Sequence, residues 1–264
     1  QARQLYDDAQ GILDQLISSE NYKGQAVVSL LPAQRDGSDD IALFADEMRK
    51  QTIGVVRTLR QQKSKPVGQP NYALADFIAP PESGAKDYLG FFALTVGHGT
   101  DALARKYDAT NDDYSAIMVK ALADRLAEAF AEKLHQLIRT EYWGYASAEN
   151  LTNDALIRER YQGIRPAPGY PACPDHTEKT LLWDLLDVER KIGVRITENF
   201  AMEPAASVCG FYFAHPNARY FGVGKVNKDQ VEDYAKRKAI SLSEAERWLA
   251  PSLGYDNSER KNLE

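Results

Sequence analysis

Apolar side chains at Leu5, Ala9, Ile12, Leu13 and Leu16 recur at the spacing of one helical face, which predicts an amphipathic helix over residues 5–17, with Gly24 shortly after it. The period then changes. Residues 26–31 (AVVSLL) read as a buried strand stopped by Pro32, and residues 41–44 as its return strand across the polar loop 35–38, a hairpin with a long loop. The polar, Pro- and Gly-bearing stretch 61–70 is expected to be a surface loop, because a strand-like run at 88–96 follows too soon for a domain break. The longest helical pattern spans residues 112–142, with Ile117, Leu122, Leu126, Phe130, Leu134, Leu137 and Ile138 as its apolar stripe and Asp113 and Ser115 as caps. A second helix is predicted at 177–191. It is introduced by Asp175 with Glu178 in capping-box-like spacing, closed by Gly193, and carries Arg190 and Lys191 in its last turn, where cations suit the helix dipole. Strands are expected at 194–197, 207–213 and 220–223, with turns at 202–205 and 215–218. Short helices are expected at 229–238 and at 243–249, the latter with Ser243 and Glu246 in capping-box spacing. Strands and helices mix without βαβ alternation, and no internal repeat is present. The pattern therefore predicts an α+β fold with an antiparallel sheet.

Composition narrows the function classes. With 32 Lys and Arg against 38 Asp and Glu, the 264-residue chain has a formal charge of −6, so it lacks the basic excess that generic nucleic-acid binding requires. No stretch approaches the roughly 18 consecutive apolar residues of a transmembrane helix, and no membrane role is expected. The two cysteines, Cys173 and Cys209, form no Cys-x-x-Cys pair, which argues against a disulfide scaffold or a cysteine zinc site and makes a cytoplasmic setting the expectation. The chain opens on Gln1 with no signal-like region, and is expected to be part of something larger.

Most generic catalytic signatures are missing: there is no Gly-x-Ser-x-Gly elbow, no Walker loop and no His-Glu-x-x-His. Gly97-His98-Gly99 and Gly222-Val223-Gly224 read as turn glycines, and the four histidines have no ligand spacing, so no metal site is expected. Residues 165–174 (RPAPGYPACP) are different. Four prolines in ten residues forbid helix and central strand, leaving a rigid irregular segment. Arg165 at its head offers a planar fork for a carboxylate, Gly169 allows close approach to the main chain, and Tyr170 presents a π face for a cation; a Pro-rich connector pinned by a stacked Arg fits the composition equally. On the long helix, Asp124 and Glu128 lie opposite the apolar stripe, with Glu132 continuing the row. This row is either a solvated face or a set of carboxylates facing a cationic ligand or a partner. Adjacent Tyr220 and Phe221 should point to opposite faces of a strand, one into the core and the other free to meet a flat ring such as adenine.

Several long blocks carry a family resemblance: residues 113–122 (DYSAIMVKAL), 124–132 (DRLAEAFAE), 164–171 (IRPAPGYP), 174–179 (PDHTEK), 228–235 (KDQVEDYA), and the tail with Trp248-Leu249-Ala250-Pro251 and Leu253-Gly254-Tyr255-Asp256. Over nearly its whole length the chain resembles the C-terminal activation module of cobalamin-dependent methionine synthases. The resemblance implies one C-shaped α+β domain over residues 1–264, with a twisted antiparallel sheet flanked by helices. It also implies a shallow groove for S-adenosylmethionine (AdoMet). Cofactor-binding roles would fall to Arg165 on the methionyl carboxylate, to Gly169, Tyr170 and Ala172 along the groove, to Tyr220 and Phe221 in a second contact segment, and to Glu128 near the sulfonium. Asp124 would sit beside Glu128 as a candidate partner contact. No residue is implied as a general acid or base. The family's further upstream segment, with an Asp-Trp-x-Pro-Phe-Phe motif whose Asp grips the AdoMet amino group, is outside this sequence. The implied activity is reactivation within methionine synthase, a 5-methyltetrahydrofolate–homocysteine methyltransferase: reductive methylation of cob(II)alamin to methylcobalamin, in methionine biosynthesis. The cobalamin is held by a partner module, and the electron comes from flavodoxin or a flavoprotein reductase. A noncatalytic docking module that has lost AdoMet binding is the alternative.

Overall fold

The computed structural model describes residues 2–18 and 22–256. In chain order the elements are helix α1 (Ala2–Ser18); strands β1 (Gln25–Asp36), β2 (Asp40–Phe44) and β3 (Thr52–Arg57); short 3-10 turns at Leu74–Phe77 and Pro81–Ser83; and β4 (Asp87–Thr95). Then come α2 (Thr100–Asp108), α3 (Asp113–Leu137), a π turn (Ile138–Tyr142), α4 (Asn153–Ile157), α5 (Glu178–Leu186) and α6 (Val188–Ile192). Strands β5 (Arg195–Ile196), β6 (Met202–Glu203) and β7 (Ser207–Tyr212), helices α7 (Lys228–Lys238) and α8 (Leu242–Trp248) and a 3-10 turn at Ala250–Ser252 complete the chain. Five strands form an antiparallel sheet of order β3-β2-β1-β4-β7, flanked by helices, and β5 and β6 make a separate two-stranded ribbon. The α+β reading from periodicity therefore holds.

The chain divides into two compact units, one of Gln1–Val28, Phe92–Gly144 and Trp183–Cys209, the other of Ser29–Phe91, Tyr145–Leu182 and Gly210–Glu264. In the first, the long helix α3 buries a face of small residues, Ala116, Ala123, Ala127 and Ala131, together with Met118, Val119, Leu134 and His135. Of the expected stripe, Leu134 and Ile138 are buried and Leu122 and Leu126 pack against the cluster of α1, whereas Ile117 is 67% exposed. Alanine lets neighbouring main chain approach closely, and packing against small residues decided which face turned inward. Ile12 and Leu16 of α1 cluster with Met118 and Val119. Asp112 is the cap, accepting from the Ser115 N–H at 3.0 Å, in place of Asp113 or Ser115 themselves.

In the second unit, Leu59, Val223, Val226, Val231, Tyr234, Ala235, Ala245 and Leu249 form one cluster, while Phe91 meets Phe211 edge to face at 5.5 Å. Pairing of β1 with β2 starts at Ala33↔Leu43, so Pro32 lies just outside that ladder and the strand runs through it to Asp36, contrary to the expected stop. Strand β3 escaped the sequence pattern because Ile53 is exposed and Gly54 interrupts the alternation; a Cβ at Gly54 would stand 2.7 Å from Leu181 Cδ1, so the tip of that leucine fills the space a side chain would take. The helix predicted at 177–191 is broken at Asp187, which takes a φ of +54° between α5 and α6, while Gly193 closes it as expected. Residues 220–223 carry no ladder: the Val223 N–H donates to the Pro171 carbonyl and the Gly222 carbonyl accepts from Gln61 Nε2, so single bonds satisfy what a strand would have paired. Met202 and Glu203 are paired in β6 where a turn was expected. Ser241 caps α8 instead of Ser243, which lies within the helix.

Candidate functional site

The proline-rich segment is stitched at its start to the end of β7. Ile164 and Phe213 exchange main-chain hydrogen bonds at 3.1 and 3.0 Å, and the Phe211 N–H donates to the Pro166 carbonyl at 2.9 Å. With four donors removed by proline, the donors that remain are used locally: Gly169 N–H to the Cys173 carbonyl at 2.7 Å, Cys173 N–H to the Tyr170 carbonyl at 2.9 Å, and Tyr170 N–H to the Ala167 carbonyl at 3.2 Å. Gly169 sits at φ +92°, and a Cβ there would stand 2.1 Å from Cε1 of the His176 ring. The ring lies 3.4 Å from Lys179 Nζ, and the acidic residues on either side of it are fixed by bonds of their own. Asp175 accepts from the Thr177 N–H and hydroxyl, from the Tyr234 hydroxyl at 2.7 Å and from Lys238 Nζ at 2.8 Å, and Lys238 also donates to Glu178 at 2.5 Å. Glu178 therefore turns to Lys238 and to the Arg57 N–H instead of closing a capping box on Asp175. Burial works to raise the Asp175 carboxyl, but the Lys238 ammonium with the Tyr234 and Thr177 donors outweighs it and holds the group below its ordinary value. Burial lowers the His176 imidazole, and the nearby Lys179 charge adds to that effect.

Onto this fixed loop are mounted the residues the sequence singled out. The Arg165 N–H donates to the Tyr220 hydroxyl at 3.0 Å, and its guanidinium donates to the Tyr161 hydroxyl at 3.0 Å. Tyr170 and Tyr220 are exposed, at 62% and 42%, whereas Ala172 is buried behind them. Phe221 turns inward, its ring 6.0 Å from Tyr72 and 6.2 Å from Phe77, so one aromatic of the pair faces the core and one faces out even without a strand. Arg165, Gly169, Tyr170, Ala172, Tyr220 and Phe221 all belong to the second unit. Together they offer a braced guanidinium fork, two exposed phenol rings and a glycine-bearing main chain. Such a set can take a carboxylate and a flat or cationic group.

Asp124 and Glu128 belong to the first unit. Both are exposed on α3, and with Arg125 and Ala127 they line a polar groove of about 310 Å³ whose opposite wall is Ala205, Ala206, Ser207 and Val208. The carboxylate row thus bounds a concave surface, and a cation is what two adjacent carboxylates would favour there. Burial pushes the nearby Tyr22 phenol up, and the charge of Asp124 adds to the shift.

The family described as vitamin B12 dependent methionine synthase, activation domain, matches residues 1–239. The chain belongs to this family. A crystal structure of the MetH reactivation domain bound to AdoHcy is 57% identical, superposes with a TM-score of 0.93, and is matched over 97% of this chain and 78% of that one. Within a methionine synthase activation domain, two contributors to the loop were not legible in advance. Tyr161, four residues before Arg165, steadies the guanidinium, and a helix-like spacing of aromatic and Arg was the available sign. His176 passed as an isolated histidine, although its place between two carboxylates, Asp175 and Glu178, at a helix start marked it as held.

Proposed function

We propose that this activation domain binds AdoMet along the Arg165–Ala172 loop and serves reductive methylation of cob(II)alamin to methylcobalamin, in a cytoplasmic methionine synthase. The observation that carries the reading is the braced Arg165: its N–H and guanidinium are tied to Tyr220 and Tyr161 in a loop that proline holds still, in a chain 57% identical to a domain crystallised with AdoHcy. The donor set fits the ligand. The Arg165 fork would take the methionyl carboxylate, Gly169, Tyr170 and the main chain of Ala172 would line the chain of the ligand, and Tyr220 would border the adenine with the inward-turned Phe221 next to it. In the first unit, Glu128, with Asp124 beside it as a candidate partner contact, would favour a positively charged group such as a sulfonium. When bound, AdoMet supplies an electrophilic methyl group. The domain's own part is positioning and shielding from water, worth much of a barrier when two reactants must meet in one geometry. The cobalamin would be held by a partner module, and the electron would come from flavodoxin or a flavoprotein reductase.

Calorimetric titration with AdoMet tests this, comparing the parent chain with Arg165→Ala. A charge-assisted hydrogen-bonded anchor contributes about 1.5–3 kcal/mol, so the variant is expected to bind about ten- to a hundredfold more weakly. Unchanged affinity would remove the assigned groove. Parent protein that docks a cob(II)alamin-loaded module yet forms no methylcobalamin with AdoMet and reductant present would leave the docking-only alternative.

A further inference from the structure

Gln61 opens the stretch whose composition predicts a surface loop, yet it is only 7% exposed, and both ends of its side-chain amide are engaged. Its Nε2 donates to the Gly222 carbonyl at 2.7 Å, and its Oε1 accepts from Lys65 Nζ at 2.6 Å and from the Tyr72 N–H at 3.1 Å. An ammonium and an N–H can only donate and a carbonyl can only accept, so the amide has one orientation. Turned over, it would set its NH2 against two donors and its oxygen against an acceptor. The Gln61 main chain joins in as well, its N–H donating to the Tyr72 carbonyl at 2.9 Å. Lys65 is fixed in its turn by the Pro70 carbonyl at 2.6 Å.

The carbonyl that Gln61 holds belongs to the segment carrying Tyr220 and Phe221. Residues 220–223 lie outside every strand, and single bonds stand where a ladder would. The Val223 N–H donates to the Pro171 carbonyl at 2.8 Å, the Gly222 carbonyl accepts from Gln61, and the Tyr220 hydroxyl accepts from the Arg165 N–H at 3.0 Å. The Phe221 ring is held through the same residue by a second route. Tyr72, whose main chain is paired with Gln61, sets its ring 6.0 Å from Phe221 and 6.0 Å from Phe77, and Phe77 stands 6.2 Å from Phe221. Gln61 therefore reaches the segment twice, directly at Gly222 and through Tyr72 at Phe221. Tyr220 is the next residue back, and its ring is the one that faces out.

We propose that Gln61 is a positioning residue for the adenine end of the AdoMet site. It acts by fixing Gly222 and Phe221, so that the Tyr220 ring stands where a flat ring can lie against it. The inference rests on the proposed function and adds to it a residue 161 positions away from the carbonyl it holds. A ring already in place spares the ligand the entropy of ordering it. The chemistry of the amide also lets its two halves be separated. Glutamate keeps the acceptor half, since a carboxylate takes Lys65 and the Tyr72 N–H, but it has no N–H for Gly222 and sets an anionic oxygen against that carbonyl. Methionine, of similar length, keeps neither half.

The test is calorimetric titration of the full chain with AdoMet, in the parent, Gln61→Glu and Gln61→Met, with urea unfolding of each. Both variants are expected to bind AdoMet about three- to tenfold more weakly, the equivalent of one lost hydrogen bond. Stability should separate them. Gln61→Glu should unfold near the parent midpoint because Lys65 gains a charged partner, and Gln61→Met at a lower one because Lys65 and the Tyr72 N–H lose their acceptor. In a Tyr220→Ala background, where the ring to be placed is gone, either Gln61 substitution should cost less than about twofold further in affinity. Either variant carries the test if the other fails to fold, because the Tyr220→Ala comparison applies to both. Affinity within about twofold of the parent, a loss that follows the urea midpoint from variant to variant, or an undiminished effect without Tyr220 overturns the proposal. Arg165→Ala in the same series tells the two readings apart. Weakened binding there with unchanged binding in the Gln61 variants overturns the positioning role alone, whereas parent protein that binds no AdoMet overturns the AdoMet assignment and the role with it.

Discussion

Replacing Gly169 by alanine puts the rigidity of the proposed site to a quantitative test. The backbone there sits at φ +92°, a conformation that costs a residue with a side chain about 1–2 kcal/mol. The added Cβ would lie 2.1, 2.4 and 2.7 Å from three atoms of the His176 ring, well inside contact distance. The ring is half-buried beside Lys179 Nζ at 3.4 Å, and the backbone that carries it is fixed on both sides, Asp175 by Tyr234 and Lys238 and Glu178 by Lys238 and the Arg57 N–H. Overpacking of this kind costs about 1–3 kcal/mol, so Gly169→Ala should lose about 2–5 kcal/mol in all. Urea unfolding measures the loss, and AdoMet calorimetry should show weakened binding as the loop shifts under Arg165 and Tyr170. The double variant G169A/H176A removes the overlap and keeps the backbone cost, so a double-mutant cycle should return a coupling of about 1–3 kcal/mol. A Gly169→Ala loss below about 1 kcal/mol, or a coupling near zero, would refute the reasoning that the imidazole wedges the loop.

Tyr220→Phe should weaken AdoMet binding about three- to tenfold in the same titration, because the Arg165 N–H loses an acceptor worth about 1 kcal/mol. Asp40→Ala should destabilise the second unit by about 3–5 kcal/mol in urea, since it strands the guanidiniums of Arg57 and Arg237 around a buried position. Lys238→Met should do comparable damage by leaving Asp175 and Glu178 buried without their shared cation, and a measured loss under about 1 kcal/mol would contradict the pairing. The Asp175 carboxyl is held below its ordinary value of 3.8, so its contribution to stability is complete above that pH and drains away as pH falls through the lower folded value; Asp175→Asn, less stable at neutral pH, should show a shallower acid decline than the parent in urea midpoints taken from about pH 5 to about pH 2.

What was legible in the sequence follows from how local each signal is. The rigidity of residues 165–174 is a property of proline itself, so it could be read without knowing any neighbour, and the loop is irregular as its composition required. The start of α5 was half legible. Asp175 does engage the first turn, through Thr177, but Glu178 answers to Lys238, a partner sixty residues away that no local spacing announces. The buried face of α3 is legible at Leu134 and Ile138 but not at Ala116, Ala123, Ala127 and Ala131, because alanines carry little weight in a hydrophobic stripe; Ile117, which the spacing places in that stripe, is solvent-facing. The break at Asp187 was hidden for a similar reason, as a positive φ in an aspartate leaves no mark comparable to glycine.

The same contrast separates the two groups of candidate residues. Arg165 and Tyr170 announce themselves because a stiff loop turns residue identity directly into geometry. Asp124 and Glu128 do not, since the identical row on a helix is a solvated face wherever nothing stands opposite it. What distinguishes them is the wall formed by Ala205, Ala206, Ser207 and Val208, which makes the row one side of a groove. That wall is contributed by residues nearly eighty positions further along the chain, and its small side chains are what keep the groove open. Filling it from the far side, with Ala205→Phe, should therefore block whatever cation the carboxylates favour while leaving their charge intact, whereas Glu128→Gln should leave the space and remove the attraction. If both substitutions left AdoMet affinity unchanged, the carboxylate row would be a solvated face after all.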